Sequence, residues 1–181
     1  MANSSEWTSE SFEFNLIALI NKYSPNGILV DTNLLVLLLG TEFDPTFPGS
    51  GRASEYSTQD AQDLAEIVSR FGKVVSTQHV MAETSNLLRQ VFKGKKRGSL
   101  MSHLHRLYCT PTPSFLQMDV DISKIDPYIF HRLGFTDSAL AVASGTYPLI
   151  TADLDLHVAV STQGGDSVNF WHLKESLLDF Q

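Results

Sequence analysis

Cysteine is almost missing from this chain. Its 181 residues contain one, Cys109, which has no partner for an intrachain disulfide. A disulfide-stapled scaffold is therefore excluded, and a reducing compartment is expected. Long apolar runs are missing too. A spanning helix needs roughly 20 apolar residues, whereas the longest run here, residues 28–39, is broken by Asp31 and Asn33. No membrane partner is expected. The opening Met-Ala-Asn-Ser-Ser-Glu-Trp has no cationic segment followed by an apolar one, so no secretory signal is read there and the expected location is cytoplasmic. Repeats and low-complexity tracts are lacking as well. What is present, 43% apolar residues, is enough for a buried core, and residues 1–181 are expected to form one domain.

Positive charge is also scarce. Thirteen Lys and Arg against 20 Asp and Glu leave a net charge of −7, the opposite of the usual footprint of a phosphate-binding surface. The distribution is uneven, however. From Arg89 to Arg106 the chain carries Lys93, Lys95, Lys96 and Arg97, with His103 and His105 beside them and no acid. Two readings stay open, a solvated surface and a track for a nucleic-acid backbone, and the second gains only if the block lies near the functional crevice.

Apolar patterning divides the chain into alternating elements. Phe12, Leu16, Leu19, Ile20 and Tyr23 recur at helical spacing, giving an N-terminal helix over about 11–23 that ends in a Pro25-Asn26-Gly27 turn. Ile28-Leu29-Val30 reads as a strand buried on both faces, followed by Asp31-Thr32-Asn33 and a Leu-rich helix closed by Gly40. An irregular loop follows over 41–57, then a helix from Thr58 to Phe71 with Thr58 as its cap. A second strand is read at 73–77, leading into a helix that carries Glu83. Further helices are expected at 99–108, from Asp126-Pro127, and over 134–144, with an edge strand within 115–122. Strands at 148–151 and 167–171 bracket a helix near 156–162, and a short helix ends the chain. Alternating strands and helices predict an α/β fold: three α/β/α layers around a central, mostly parallel sheet with right-handed crossovers.

In such sheets ligands bind at the carboxyl ends of the strands. Acids cluster at those places. Asp31 follows the first strand and Asp153 the strand at 148–151, while Glu83 and Asp137 fall near helix starts. Each has a plainer reading, and for Asp31 it is a helix cap. Gathered at one end of the sheet, carboxylates repel and raise one another's pKa values, so a divalent cation is expected among them. Oxygen-only ligands favour Mg²⁺ or Mn²⁺. Zinc is disfavoured, because Cys109 is alone and His103 and His105 are two apart, on different helix faces. Asp155 remains open between assisting Asp153 and capping the following helix.

Asp31-Thr32-Asn33, Glu83, Gly134-Phe135-Thr136-Asp137 and Thr151-Ala152-Asp153, in this order and context, resemble the acidic motifs of PIN-domain nucleases, the family of the VapC-like ribonucleases. The resemblance runs from about Ile28 to Trp171. It implies a metal-dependent ribonuclease with Asp31, Glu83, Asp137 and Asp153 as catalytic and metal-holding acids. Thr151 matches the family's neighbouring hydroxyl, and Thr151 and Asn33 are expected to steady the carboxylates. RNA is the implied substrate, with Lys93, Lys95, Lys96 and Arg97 as the candidate backbone contacts. An antitoxin, another protein or a second copy of the chain are the implied partners. Two rivals stand beside this reading. A PIN-like module could bind RNA or protein without cutting. A haloacid-dehalogenase-type phosphatase also places an Asp after its first strand, but it needs a second Asp where this chain has Asn33.

Overall fold

Ile28-Leu29-Val30 sits at the middle of the sheet because nothing in it tolerates water: the three side chains are at most 1% exposed, and a strand covered on both faces needs neighbours on both edges. The structure, a computed structural model, describes residues 9–24 and 26–178. Pro25, the side chain of Phe12 and the opening segment read for a secretory signal lie outside the described residues.

In chain order the elements are α1 (Ser9–Tyr23), β1 (Ile28–Val30), α2 (Thr32–Phe43), α3 (Thr58–Ser69), β2 (Val74–Thr77), α4 (Gln78–Val91) and α5 (Gly94–Cys109). They continue with β3 (Phe115–Met118), α6 (Pro127–Leu133), α7 (Phe135–Ala143), β4 (Leu149–Thr151), α8 (Leu154–Thr162), β5 (Ser167–Asn169) and α9 (Phe170–Leu178). The five strands are all parallel, in the order β3-β2-β1-β4-β5. Right-handed crossovers then put α2 to α5 on one face and α6 to α8 on the other, the expected three layers. The chain leaves β1 toward β2, while β4 pairs on β1's other edge. This reversal opens a crevice at the carboxyl ends of β1 and β4. Leu29 pairs with Leu149 and Val30 with Ile150, so the two polar corners are brought side by side.

Local differences from the sequence reading have physical causes. Gly40 does not close α2, which runs to Phe43. It is there for close approach: a Cβ at Gly40 would lie 2.4 Å from ring carbons of the buried Phe47. Gly40→Ala is therefore expected to lower stability by about 1–3 kcal/mol through overpacking, even though alanine favours a helix by about 1 kcal/mol. A urea midpoint equal to or above the parent's would show that the Phe47 ring simply moves aside.

The cap of α3 is Ser57, one residue before Thr58, because Asp60 completes a reciprocal capping box with it. α5 begins at Gly94, so the basic block forms its first turns. β5 stops at Asn169, whose Oδ1 accepts from the Trp171 and His172 N–H groups and turns the chain into α9. The 41–57 connection is less irregular than its composition suggests. It holds a 3-10 turn at Gly51–Ala53 and buries Phe47, Ala53 and Tyr56. α1 packs on α9, and the Lys22 and Tyr23 side chains both donate to Asp166 Oδ2, at 2.7 and 2.6 Å.

Candidate functional site

Asp31 ends β1 and caps α2 at once. Its Oδ1 accepts the Leu34 N–H at 2.7 Å, and its Oδ2 accepts the Thr151 hydroxyl and the Ala152 N–H, the latter at 2.9 Å. The cap and the corner acid are thus one residue using different oxygens. At 3% exposure, burial pushes its carboxyl upward against the pull of these three bonds, and the charge of Asp153 adds to the rise.

Thr151 joins the two corners. Having donated to Asp31, its hydroxyl accepts the Asp153 N–H at 2.9 Å. Asp153, not Asp155, caps α8: its Oδ1 accepts from the Asp155 and Leu156 N–H groups at 2.7 and 3.1 Å. Both bonds fall on Oδ1. Asp155 instead pairs with Arg132 of α6, so neither sequence reading of Asp155 describes it.

Glu83 lies on α4, exposed, and accepts the Thr32 hydroxyl at 3.3 Å. Thr32 therefore has a role that the sequence reading gave to its neighbour. Asn33 is exposed and makes no hydrogen bond with the described residues, so it steadies none of the acids.

Asp137, in the first turn of α7, is half-buried and has no hydrogen-bond partner among the described residues. Burial, then the charges of Asp153, Asp31 and Glu83, push its carboxyl up to about 7. The charges of the other three predicted acids thus all reach Asp137, and that of Asp153 also reaches Asp31. They are coupled without being gathered: among the described residues no three His, Cys, Asp or Glu side chains are close enough to hold a metal ion. The donor set still has the chemistry of a hard-ion site, carboxylates and hydroxyls with no thiol. Cys109 lies elsewhere, exposed at the end of α5, and His103 is 3.6 Å from Glu42 of α2.

The basic block does not join the acids. Lys96 Nζ is 2.6 Å from Asp44 Oδ2, and this pairing holds the Asp44 carboxyl down at about 2. Asp44 caps the far end of α2 from Asp31, about 20 Å away at the ordinary helical rise. Lys93 Nζ donates to the Gln90 carbonyl at 2.6 Å and Arg97 Nε to the Phe92 carbonyl at 3.0 Å. Only Lys95 of the four makes no bond with the described residues. These contacts suit a solvated helix end tied to its neighbours.

The crevice also has members that the sequence reading missed. His79, one turn before Glu83 on α4, meets the ring of Phe135 edge-on at 4.6 Å, and Phe135 is 42% exposed. Four-residue spacing from Glu83 could have pointed to His79. Tyr56 had no such signal, since its position depends on the path of the 41–57 connection. Comparison with protein-family models, with curated proteins and with solved structures finds no match for this chain.

Proposed function

We propose that this protein is a divalent-metal-dependent endoribonuclease of the PIN type, with Asp31, Glu83, Asp137 and Asp153 at its catalytic centre. Asp137 carries the reading. It is a half-buried carboxylate with no hydrogen-bond partner among the described residues, opposed by three other acids and pushed up to about 7. Such a group destabilises the folded chain unless a counter-charge binds there, and perturbed groups of this kind concentrate at functional crevices. The resemblance of the acidic motifs to PIN nucleases agrees with that counter-charge being Mg²⁺ or Mn²⁺.

Asp31, Asp137 and Asp153 would hold the cation, directly or through water. Bound there, it supplies a water of lowered pKa and polarises the phosphate. Glu83, oriented by Thr32, would be a further ligand or would accept a proton from the attacking water. Thr151 holds the Asp31 carboxylate and the Asp153 backbone in register, so the acids on β1 and β4 keep their spacing as charge develops. No covalent intermediate on Ser, Cys or His is needed, and the strand's own 2′-hydroxyl takes no part. The proposed location is cytoplasmic, on the single Cys109. No helix among the described residues is long and apolar enough to cross a membrane.

The test is end-labelled single-stranded RNA with purified protein and Mn²⁺ or Mg²⁺, against the same mixture in EDTA. Shortened strands with 5′-phosphate and 3′-hydroxyl ends are expected, in metal only. Products ending in 2′,3′-cyclic phosphate overturn the mechanism. Inorganic phosphate without strand shortening favours a phosphatase, and an intact strand a binding module.

A further inference from the structure

Phenylalanine is mostly hidden in this fold. Among the described residues two are exposed, Phe130 of α6 at 43% and Phe135 of α7 at 42%. Each leaves apolar area in water, and such area gathered in one place marks a surface that something covers. The two rings touch. Their centroids are 6.2 Å apart, and Phe135 also meets the half-buried His79 ring at 4.6 Å, so three rings form a linked row. Their planes cross at 85° and 74°, which is edge-to-face packing. Such contacts fix the orientation of a ring without laying a parallel neighbour over it. Tyr56 and Trp171 show the contrast: their planes are 7° from parallel with centroids 5.2 Å apart, and Tyr56 is 2% exposed.

The row stands at the mouth of the acid crevice. His79 lies in the first turn of α4, directly after β2 ends at Thr77. Glu83, one turn further along, accepts the Thr32 hydroxyl at 3.3 Å beside the Asp31 corner. Phe135 is the first residue of α7, and Asp137 follows in the same turn. Free positive charge is short here. Arg132, on the same helix as Phe130, pairs with Asp155, while Lys96 of the basic block is held by Asp44 at the far end of α2. A strand bound at this place needs contacts that an acidic surface does not oppose. Stacking of a base on an uncharged ring is such a contact, and it tolerates any sequence because every base has a flat face.

Resting on the nuclease reading above, we propose that Phe135 and Phe130 stack unpaired bases of a single-stranded RNA beside the phosphate that is cut, with His79 holding the Phe135 ring in place. Phe135, nearer the acids along the chain, takes the base that flanks the cut, and Phe130 takes the next one out. Bases already paired in a duplex are not free to splay onto the rings, so the surface selects unpaired segments.

The experiment uses the full chain, with Ca²⁺ in place of Mn²⁺, and two fluorescein-labelled strands of equal length. One is a short oligoadenylate, and the other is the same sugar-phosphate chain without bases. The parent should bind the oligoadenylate about tenfold or more tighter than the baseless strand. Phe135→Leu keeps apolar volume and removes the ring. Its Kd for oligoadenylate should rise about tenfold, while its Kd for the baseless strand and its melting temperature stay close to the parent's. Phe130→Leu should act in the same sense, and carries the test if Phe135→Leu does not fold. Phe135→Tyr, which keeps the ring, should bind as the parent does, and so should Ile17→Ala, an exposed apolar residue of α1. Parental binding of oligoadenylate by both leucine variants would overturn the proposal, as would a parent that does not distinguish the two strands. Equal losses on both strands would overturn it too, since they mean a disturbed crevice rather than a lost stack. A parent that light scattering shows to be a dimer, and a leucine variant that is a monomer, would give the rings to a second copy of the chain instead. If the parent binds oligoadenylate but does not cut it in Mn²⁺, the nuclease reading fails while the Kd ratios still decide for or against the stack. If the parent binds neither strand, both fall.

Discussion

Asp31→Asn is expected to fold and, on the proposed mechanism, to lose cleavage. The substitution keeps the volume of a side chain that is 3% exposed, so no cavity opens in the corner. It loses one buried hydrogen bond when its single acceptor oxygen takes the place of Oδ2, which serves Thr151 and Ala152, and two when it takes the place of Oδ1, which serves Leu34. That oxygen can face the Leu34 N–H or the Ala152 N–H, and the NH₂ group then confronts the other donor, a loss of about 1–3 kcal/mol. Removing the buried charge acts in the opposite direction. Burial has raised the Asp31 carboxyl, so the stability contributed by its protonated form is full at low pH and is lost as pH rises. The amide avoids that loss. The two effects offset each other, and the melting temperature at pH 8 should stay close to the parent's. Activity has no such compensation. An amide contributes no charge to a divalent cation or to a phosphate, and losing about 4 kcal/mol of transition-state stabilisation corresponds to roughly a thousandfold in rate. The measurement is kcat/KM on end-labelled RNA beside circular-dichroism melting of the same preparation. A variant that cuts within tenfold of the parent removes Asp31 from the mechanism, and one that is unfolded shows that the corner is structural first.

The architecture was legible in the sequence because β1, β2 and β4 are short runs rich in β-branched or other apolar residues, ended by polar corners, and that alternation has few foldings. The acids at 31 and 153 were legible for the same reason, since a carboxylate that interrupts a buried strand must face the crevice. What was hidden depended on contacts between distant segments. Nothing local tells that Gly40 is needed to admit Phe47, or that Ser57 outcompetes Thr58 as a cap once Asp60 answers it. The ion pair of Lys96 could not be read locally because its partner, Asp44, is 52 residues away in the chain. Phe170 and Trp171 read as strand on β-propensity, but the Asn169 side chain captures the next N–H groups and starts a helix. Tyr56 was the hardest to see, for its burial against Trp171 exists only after β5 and the α2–α3 connection have both been placed.

Removing the acid at 137 should stabilise the fold, and more strongly as pH rises. The Asp137 carboxyl stands at about 7 in the folded chain, against an ordinary value near 4 once unfolded. Between those values the native state keeps a proton that the unfolded chain has given up. The stability contributed by that proton is complete below about pH 4 and is lost as pH rises through about 7. A shift of about three units corresponds to roughly 4 kcal/mol, which the partial exposure of this side chain reduces to about 1–2 kcal/mol. Asp137→Asn should therefore melt above the parent at pH 8 and approach it near pH 5. His157, lowered by burial and by His172, titrates with the opposite sign, gaining stability as pH rises, and it cancels in the difference between the two proteins. Metal should reverse the ranking. Carboxylates bind a cation only when deprotonated, so Mn²⁺ should raise the parent's melting temperature more at pH 8 than at pH 5. At a hundredfold excess over Kd the gain is about 2.7 kcal/mol, enough to lift the parent above the variant. Identical melting of the two proteins across pH 5–8 would mean that the acids do not act on one another at residue 137. A Mn²⁺ response as large in Asp137→Asn as in the parent would move the cation away from this crevice.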